Sequence, residues 1–271
     1  MAAPVVVKPV VVVETSELTI SEYFGRVASK QDAASVAKVE VRAATEARFQ
    51  TPSFQEHVIC TEGCIELVYG EGQRCRLEQG QGAFLPRGLR VKWTWPGPAR
   101  YTVVCLPAFS PEMSNSEEAP SDAAKAAADS TLAPIVVQKV DVVDAPGITI
   151  TEHFGKVASK DPVCSLAMAT VKGASEEAYQ APLFDEFVVC DAGSIEFLHG
   201  DGERIKIQAG EAIFLPKGLR VKWIWPEATR YTVLCLPAFS PELSGREAEE
   251  SATVAKDSAS MKRLEALHAD S

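Results

Sequence analysis

Apolar and polar positions alternate along short stretches of the chain, and glycine or proline breaks the pattern every few residues. In the first half the stretches are Ala37 to Arg42, His57 to Thr61, Ile65 to Tyr69, Arg74 to Leu77, Gly82 to Leu85, Arg90 to Trp95 and Arg100 to Leu106. Gly63, Gly70-Glu71-Gly72, Gly80, Pro86-Arg87-Gly88 and Pro96-Gly97-Pro98 punctuate them. Period-two alternation puts successive side chains on opposite faces of a strand, and many short strands with Gly/Pro turns predict an all-β sandwich or barrel. The stretches are too short and too often interrupted for helices. Near the C-terminus Met261, Leu264 and Leu267 fall at helical spacing, which predicts one short helix there.

The pattern occurs twice. Tyr23-Phe24-Gly25-Arg26-Val27-Ala28-Ser29-Lys30 returns as His153-Phe154-Gly155-Lys156-Val157-Ala158-Ser159-Lys160, a shift of 130. The same ungapped shift carries Leu18–Glu112 onto Ile148–Glu242, and 23 of 31 positions between Gly82 and Glu112 are identical in the second copy. A period this long makes each copy a whole domain. The expected organisation is a first domain over 1–112, an Ala/Ser/acidic linker over 113–134, a second domain over 135–242 and a polar tail over 243–271. The linker has room for a short helix at Asp122–Asp129. Two such copies in one chain predict an internal pseudo-dimer.

Composition narrows the classes. Of 271 residues 46% are apolar and 24% charged, the balance of a folded chain. Lys+Arg 27 against Asp+Glu 37 gives a net charge of −10, which argues against sequence-independent nucleic-acid binding. No apolar run reaches the ~20 residues of a membrane helix. The N-terminus lacks a basic segment ahead of an apolar one, so a soluble, cytoplasmic protein is expected. The seven cysteines form no CxxC pair; Cys60 and Cys105 recur as Cys190 and Cys235, small residues suited to a core.

Gly80, Pro86 and Gly88, repeated as Gly210, Pro216 and Gly218, resemble the second signature of the cupin jelly-roll family. The end of the first signature, a Glu and a Gly with six residues between them, is matched by Glu56 with Gly63 and Glu186 with Gly193. The run Gly88, Trp93, Arg100-Tyr101, with its counterpart Gly218, Trp223, Arg230-Tyr231, resembles the subgroup of ureidoglycine aminohydrolase and ethanolamine-utilisation cupins. The resemblance implies two tandem cupin jelly-roll domains. It also implies where a metal would sit, and there the chain departs from the family. The two positions of the His pair read Gln50-Thr51-Pro52 and Gln180-Ala181-Pro182, and the third His position is Val91 or Val221. Glu56 and Glu186 alone remain, too few ligands for a first-row divalent ion. No metal and no cofactor are expected.

If the third His position faces the barrel interior, Val91, Trp93 and Trp95 share that face, as do Val221, Trp223 and Trp225. Arg90, Lys92, Arg220 and Lys222 then face outward as a solvated surface. The tryptophans either fill the barrels or wall a pocket whose polar anchor is Glu56 or Glu186, a candidate acceptor for the indole N–H groups. Arg100-Tyr101 and Arg230-Tyr231 lie on the next strand, where an Arg could pair with the Glu or with a ligand's acid group. The candidate ligand-binding residues are therefore Glu56, Trp93, Trp95, Arg100, Tyr101, Glu186, Trp223, Trp225, Arg230 and Tyr231. The expected function is metal-free binding of a small polar or amphipathic molecule. One alternative is an enzyme for a small amide, amine or carbohydrate-like substrate with Glu56 or Glu186 as acid/base. Another is a structural or storage-like bicupin.

Overall fold

The computed structural model describes residues 3–118, 131–247 and 258–269. The strands ahead of the linker are β1 (Val5–Val7), β2 (Val10–Glu14), β3 (Leu18–Phe24), β4 (Ser35–Val41), β5 (Thr45–Glu46) and β6 (Gln55–Glu62). β7 (Cys64–Tyr69), β8 (Gln73–Glu78), β9 (Gly82–Leu85), β10 (Val91–Trp95), β11 (Ala99–Leu106) and the short helix α1 (Pro111–Ser114) follow. After the linker come β12 (Ile135–Val137), β13 (Val140–Asp144), β14 (Ile148–Phe154), β15 (Ser165–Val171), β16 (Ser175–Glu176) and β17 (Asp185–Ala192). The chain closes with β18 (Ser194–His199), β19 (Glu203–Gln208), β20 (Ala212–Leu215), β21 (Val221–Trp225), β22 (Thr229–Leu236) and the helix α2 (Ser258–Ala269). Each of the alternating stretches read from the sequence is a strand. The helix proposed for Asp122–Asp129 lies outside the described residues.

Residues 9–137 make one unit, and residues 1–8 with 138–271 make the other. The first has a seven-stranded antiparallel sheet, β12-β9-β6-β11-β4-β3-β2, and a four-stranded one, β5-β10-β7-β8. The second repeats both, as β1-β20-β17-β22-β15-β14-β13 and β16-β21-β18-β19. Inward-facing alternate residues of the two sheets make each core: Val39, Val58, Cys60, Ile65, Leu67 and Trp93 in one, Ala169, Val188, Cys190, Ile195, Phe197 and Trp223 in the other. This is the tandem jelly-roll architecture expected.

The boundaries differ from the sequence reading in one respect. β1 precedes the first copy yet pairs with β20 of the second, Val5 opposite Phe214 and Val7 opposite Ala212. β12 precedes the second copy and pairs with β9 of the first, Ile135 opposite Phe84. Each β-branched tripeptide fills the same edge in either unit, and the repeat shift is blind to which copy supplies it.

The signature glycines hold the turns. Gly63 and Gly193 have φ of +69° and +76°, and a Cβ there would collide with the carbonyl oxygens of Pro98 and Ala228. Glycine is the only residue these turns admit. The copies also diverge at one edge. Val10 to Val13 of β2 are 37–52% exposed, whereas Val142 and Val143 of β13 are 5% and 8% exposed beneath α2. Arg263 of α2 donates to the Asp141 carbonyl at 3.0 Å.

Candidate functional site

Alternation along β10 and β21 turns Val91, Trp93, Trp95 and their counterparts inward, as expected, and all six are at most 5% exposed. In the first lumen Trp93, Trp95 and Tyr101 lie nearly parallel, with centroids 5.5–6.2 Å apart. Trp225 and Tyr231 repeat this stack at 6.1 Å, while Trp223 meets Phe197 edge-on at 4.7 Å. The expected indole-to-Glu hydrogen bonds are not made: the Nε1 atoms of all four tryptophans are buried without a partner.

Glu56 on β6 and Glu186 on β17 are inward and buried. Burial pushes each carboxyl up to about 8, and beside Glu186 the neighbouring Glu177 carboxylate adds to the effect. Both therefore keep their proton at neutral pH. Glu56 Oε2 has no partner. Tyr101 and Tyr231, one position along from the arginines of the Arg-Tyr pairs, face the lumens, and burial pushes their hydroxyls well above the ordinary range.

Two expectations about charge are corrected. Arg100 lies outside the lumen, pairing with Glu40 at 2.8 Å and Glu62 at 3.3 Å, and Arg230 is exposed. Since Tyr101 and Tyr231 point inward, strand alternation sends the preceding arginine outward. The basic residues flanking the tryptophans are outward but not simply solvated. Arg90 lies 3.8 Å over the Phe49 ring and bonds both oxygens of Glu117; Arg220 lies 3.6 Å over Tyr179 and does the same with Glu247. Lys92 meets Glu46 at 2.8 Å and Lys222 meets Glu176 at 3.0 Å. Arg90 and Lys222 are buried by these contacts.

This outer clasp fixes a segment that the sequence reading left out. Glu247 is held by Arg220 outside, and its neighbour Arg246 turns inward, bridged to Gln180. There its Nη2 donates to Glu177 at 2.9 Å, a half-buried pair beside Tyr231. The shift of 130 maps Glu177 onto Ala47 and Arg246 onto Ser116, and Ser116 occupies the same bridge to Gln50. The second lumen thus carries an acid–base pair where the first has two small neutral residues. A search for residues shared by both copies discards this pair; a search for differences between them finds it.

Around the pair is a cavity of about 120 Å3. Glu186, Glu177, Gln180, Trp223, Tyr231 and Arg246 form its polar and aromatic wall, and Leu264 of α2 covers it. Glu152, which also lines it, accepts the backbone N–H groups of Val157 and Ala158 at 2.9 and 2.7 Å, so its role is to hold a turn. The donor set does not fit a divalent metal. Gln180 and Val221 stand at imidazole positions, Glu177 is committed to Arg246, and Glu186 is neutral.

No family model matches the chain. It is similar in structure to the formate complex of Lactobacillus farciminis oxalate decarboxylase, with 10% identity, a TM-score of 0.68 and 88% of each chain covered. A Bacillus subtilis oxalate decarboxylase mutant gives 11%, 0.65, 89% of this chain and 78% of that one; hazelnut (Corylus avellana) vicilin gives 12%, 0.63, 86% and 85%. The fold is that of a bicupin. Identities this low speak for the bicupin fold alone. A stretch of 100 residues is also 36% identical to the endoribonuclease YbeY of Myxococcus xanthus, covering 36% of this chain. The matched stretch is about a third (34%) of that relative's length.

Proposed function

We propose that this bicupin binds a small polar molecule, without a metal, in the lumen of its second barrel. The observation that carries the reading is the cavity itself. It holds a neutral acid, Glu186, beside an ion pair that the first barrel lacks, with buried polar atoms left unpartnered on its wall. Such groups carry a desolvation cost that a ligand with matching groups offsets. Glu186 is the anchor, Trp223 and Tyr231 the walls, and Glu177–Arg246 the element that distinguishes this lumen. The first lumen, with Glu56, Trp93, Trp95 and Tyr101 packed on Ala47, is the structural partner in this reading. Seven cysteines without a CxxC pair suit a cytoplasmic location.

The test is a screen of sugars, amino acids, amines, ureides and small acids, read together by melting temperature and tryptophan emission. A ligand of the native state raises stability by roughly 2.7 kcal/mol at a hundredfold excess over its dissociation constant. The hit is expected to be lost in Glu186→Gln with the fold intact and kept in Glu56→Gln. A hit that depends on Glu56 alone would contradict the assignment.

A second reading has support from one observation: a carboxyl with its proton retained up to about pH 8 is poised as a general acid. The resemblance of the Trp and Arg-Tyr run to the ureidoglycine aminohydrolase and ethanolamine-utilisation subgroup points the same way, towards a small amide or amine substrate. Turnover abolished by Glu186→Gln while binding persists would establish the enzyme. The storage reading accounts for none of the lumen's polar groups.

A further inference from the structure

The unpartnered nitrogens on the wall of the second lumen are all hydrogen-bond donors. Trp223 is 97% buried (3% exposed) and lines the cavity, and its indole N–H has no acceptor. Arg246 gives Nη2 to Glu177, and its buried Nη1 has no acceptor either. Glu186, 7% exposed on the same wall, makes no side-chain hydrogen bond among the described residues. With its proton retained, it too is a donor. All three residues line the same cavity, and Glu177 there already accepts from Arg246. A ligand that completes this wall must bring acceptors.

We propose that the second lumen takes a small monocarboxylate, one oxygen accepting from Arg246 Nη1 and the other from Trp223 Nε1, with the Glu186 carboxyl donating to the same anion. The proposal rests on the reading of this lumen as a binding site. An amine brings further donors and leaves both N–H groups unpaired, and a hydrocarbon leaves all three. A guanidinium-to-carboxylate bond is among the strong hydrogen bonds, and the Nη1 of Arg246 has no other partner. Size sets the limit. A cavity of 150 Å3 holds benzene, so about 120 Å3 takes an acid of roughly four to six non-hydrogen atoms. The first lumen has no equivalent site, because Ser116 stands where Arg246 does.

Binding on these terms is tied to one proton. Below about pH 8 Glu186 carries it and the anion enters without further uptake. Above that, each complex must take up a proton, and the affinity falls about tenfold per pH unit.

The experiment is calorimetric titration of the full chain with acetate, propionate and glycolate at pH 6.5 and pH 9, with ethylamine and acetamide as comparators. It is repeated in Glu177→Ala/Arg246→Ser, which gives the second lumen the lining that the first already folds with. Saturable carboxylate binding at pH 6.5, weaker at pH 9 and reduced about a hundredfold in the double variant, is the expected result. Equal carboxylate binding in the double variant is nonspecific anion adsorption and overturns the proposal. Amines or acetamide binding in a Glu186-dependent way while carboxylates do not overturns the ligand class and leaves the binding site standing. No heat from any of these probes at either pH overturns the proposal. If tryptophan emission is also unchanged across the wider screen, the lumen reading falls with it.

Discussion

Glu56 and Glu186 are buried carboxyls that no cation pairs with among the described residues, and their chemistry follows from that. In the unfolded chain a Glu ionises near pH 4.3, whereas in the folded lumens burial holds each proton to about pH 8. Between those values the unfolded state binds fewer protons, so stability falls as pH rises and then levels off. Glu56→Gln/Glu186→Gln keeps the shape and removes the titration. Its stability relative to the parent is expected to grow by a few kcal/mol, in order of magnitude, between pH 5 and pH 8. Parallel pH profiles in denaturant unfolding would show that the two carboxyls are ionised in the fold. At this scale the sequence reading reached Glu186 and Tyr231 through the cupin resemblance, and Trp223 through strand alternation counted from the family's third His position. It misplaced Arg100 and Arg230, although the same alternation that turns Tyr101 and Tyr231 inward sends them out. It missed Glu177 and Arg246 because they break the repeat.

Elements decide how the lumen is covered. α2 lies on β13 and brings Leu264, 5% exposed, over the second cavity, while β2 in the first copy leaves its valines open. Leu264→Ala is expected to destabilise the second unit by about 2 kcal/mol and to raise iodide quenching of Trp223. Unchanged quenching would mean that α2 does not close the cavity. The exchange of β1 and β12 has its own consequence. Cleavage at a protease site inserted between Ser121 and Ser130 leaves β1 on one fragment and its partner β20 on the other, and the reverse for β12 and β9. The fragments should co-elute on size exclusion, and removal of residues 1–8 should weaken that association. Fragments that separate as folded monomers would contradict the strand exchange. Strands β4 and β6–β11 were legible because their alternation is long enough to count. β1 and β12 are three residues each, and nothing local in Val5–Val7 or Ile135–Val137 says whose edge they fill.

The whole molecule uses one fold twice with different chemistry. Duplication, fold and turn glycines were all readable because packing and backbone constraints act on both copies alike. The chemical difference between the lumens was not, because it lies in two substitutions of small residues by a charged pair. Because both barrels lack the imidazole positions, dialysed protein is expected to carry well under one equivalent of Mn, Fe, Zn, Ni or Cu by elemental analysis. A stoichiometric metal surviving dialysis would show that other donors assemble a site. The central claim, that the second lumen and not the first is the ligand site, is open to one direct measurement. Trp93→Phe/Trp95→Phe leaves Trp223 and Trp225 as the fluorophores, and Trp223→Phe/Trp225→Phe leaves Trp93 and Trp95. Titrated with a screening hit, the first variant should change its emission saturably and the second should stay unchanged. A saturable change reported by Trp93 and Trp95, with Trp223 and Trp225 silent, would contradict the account.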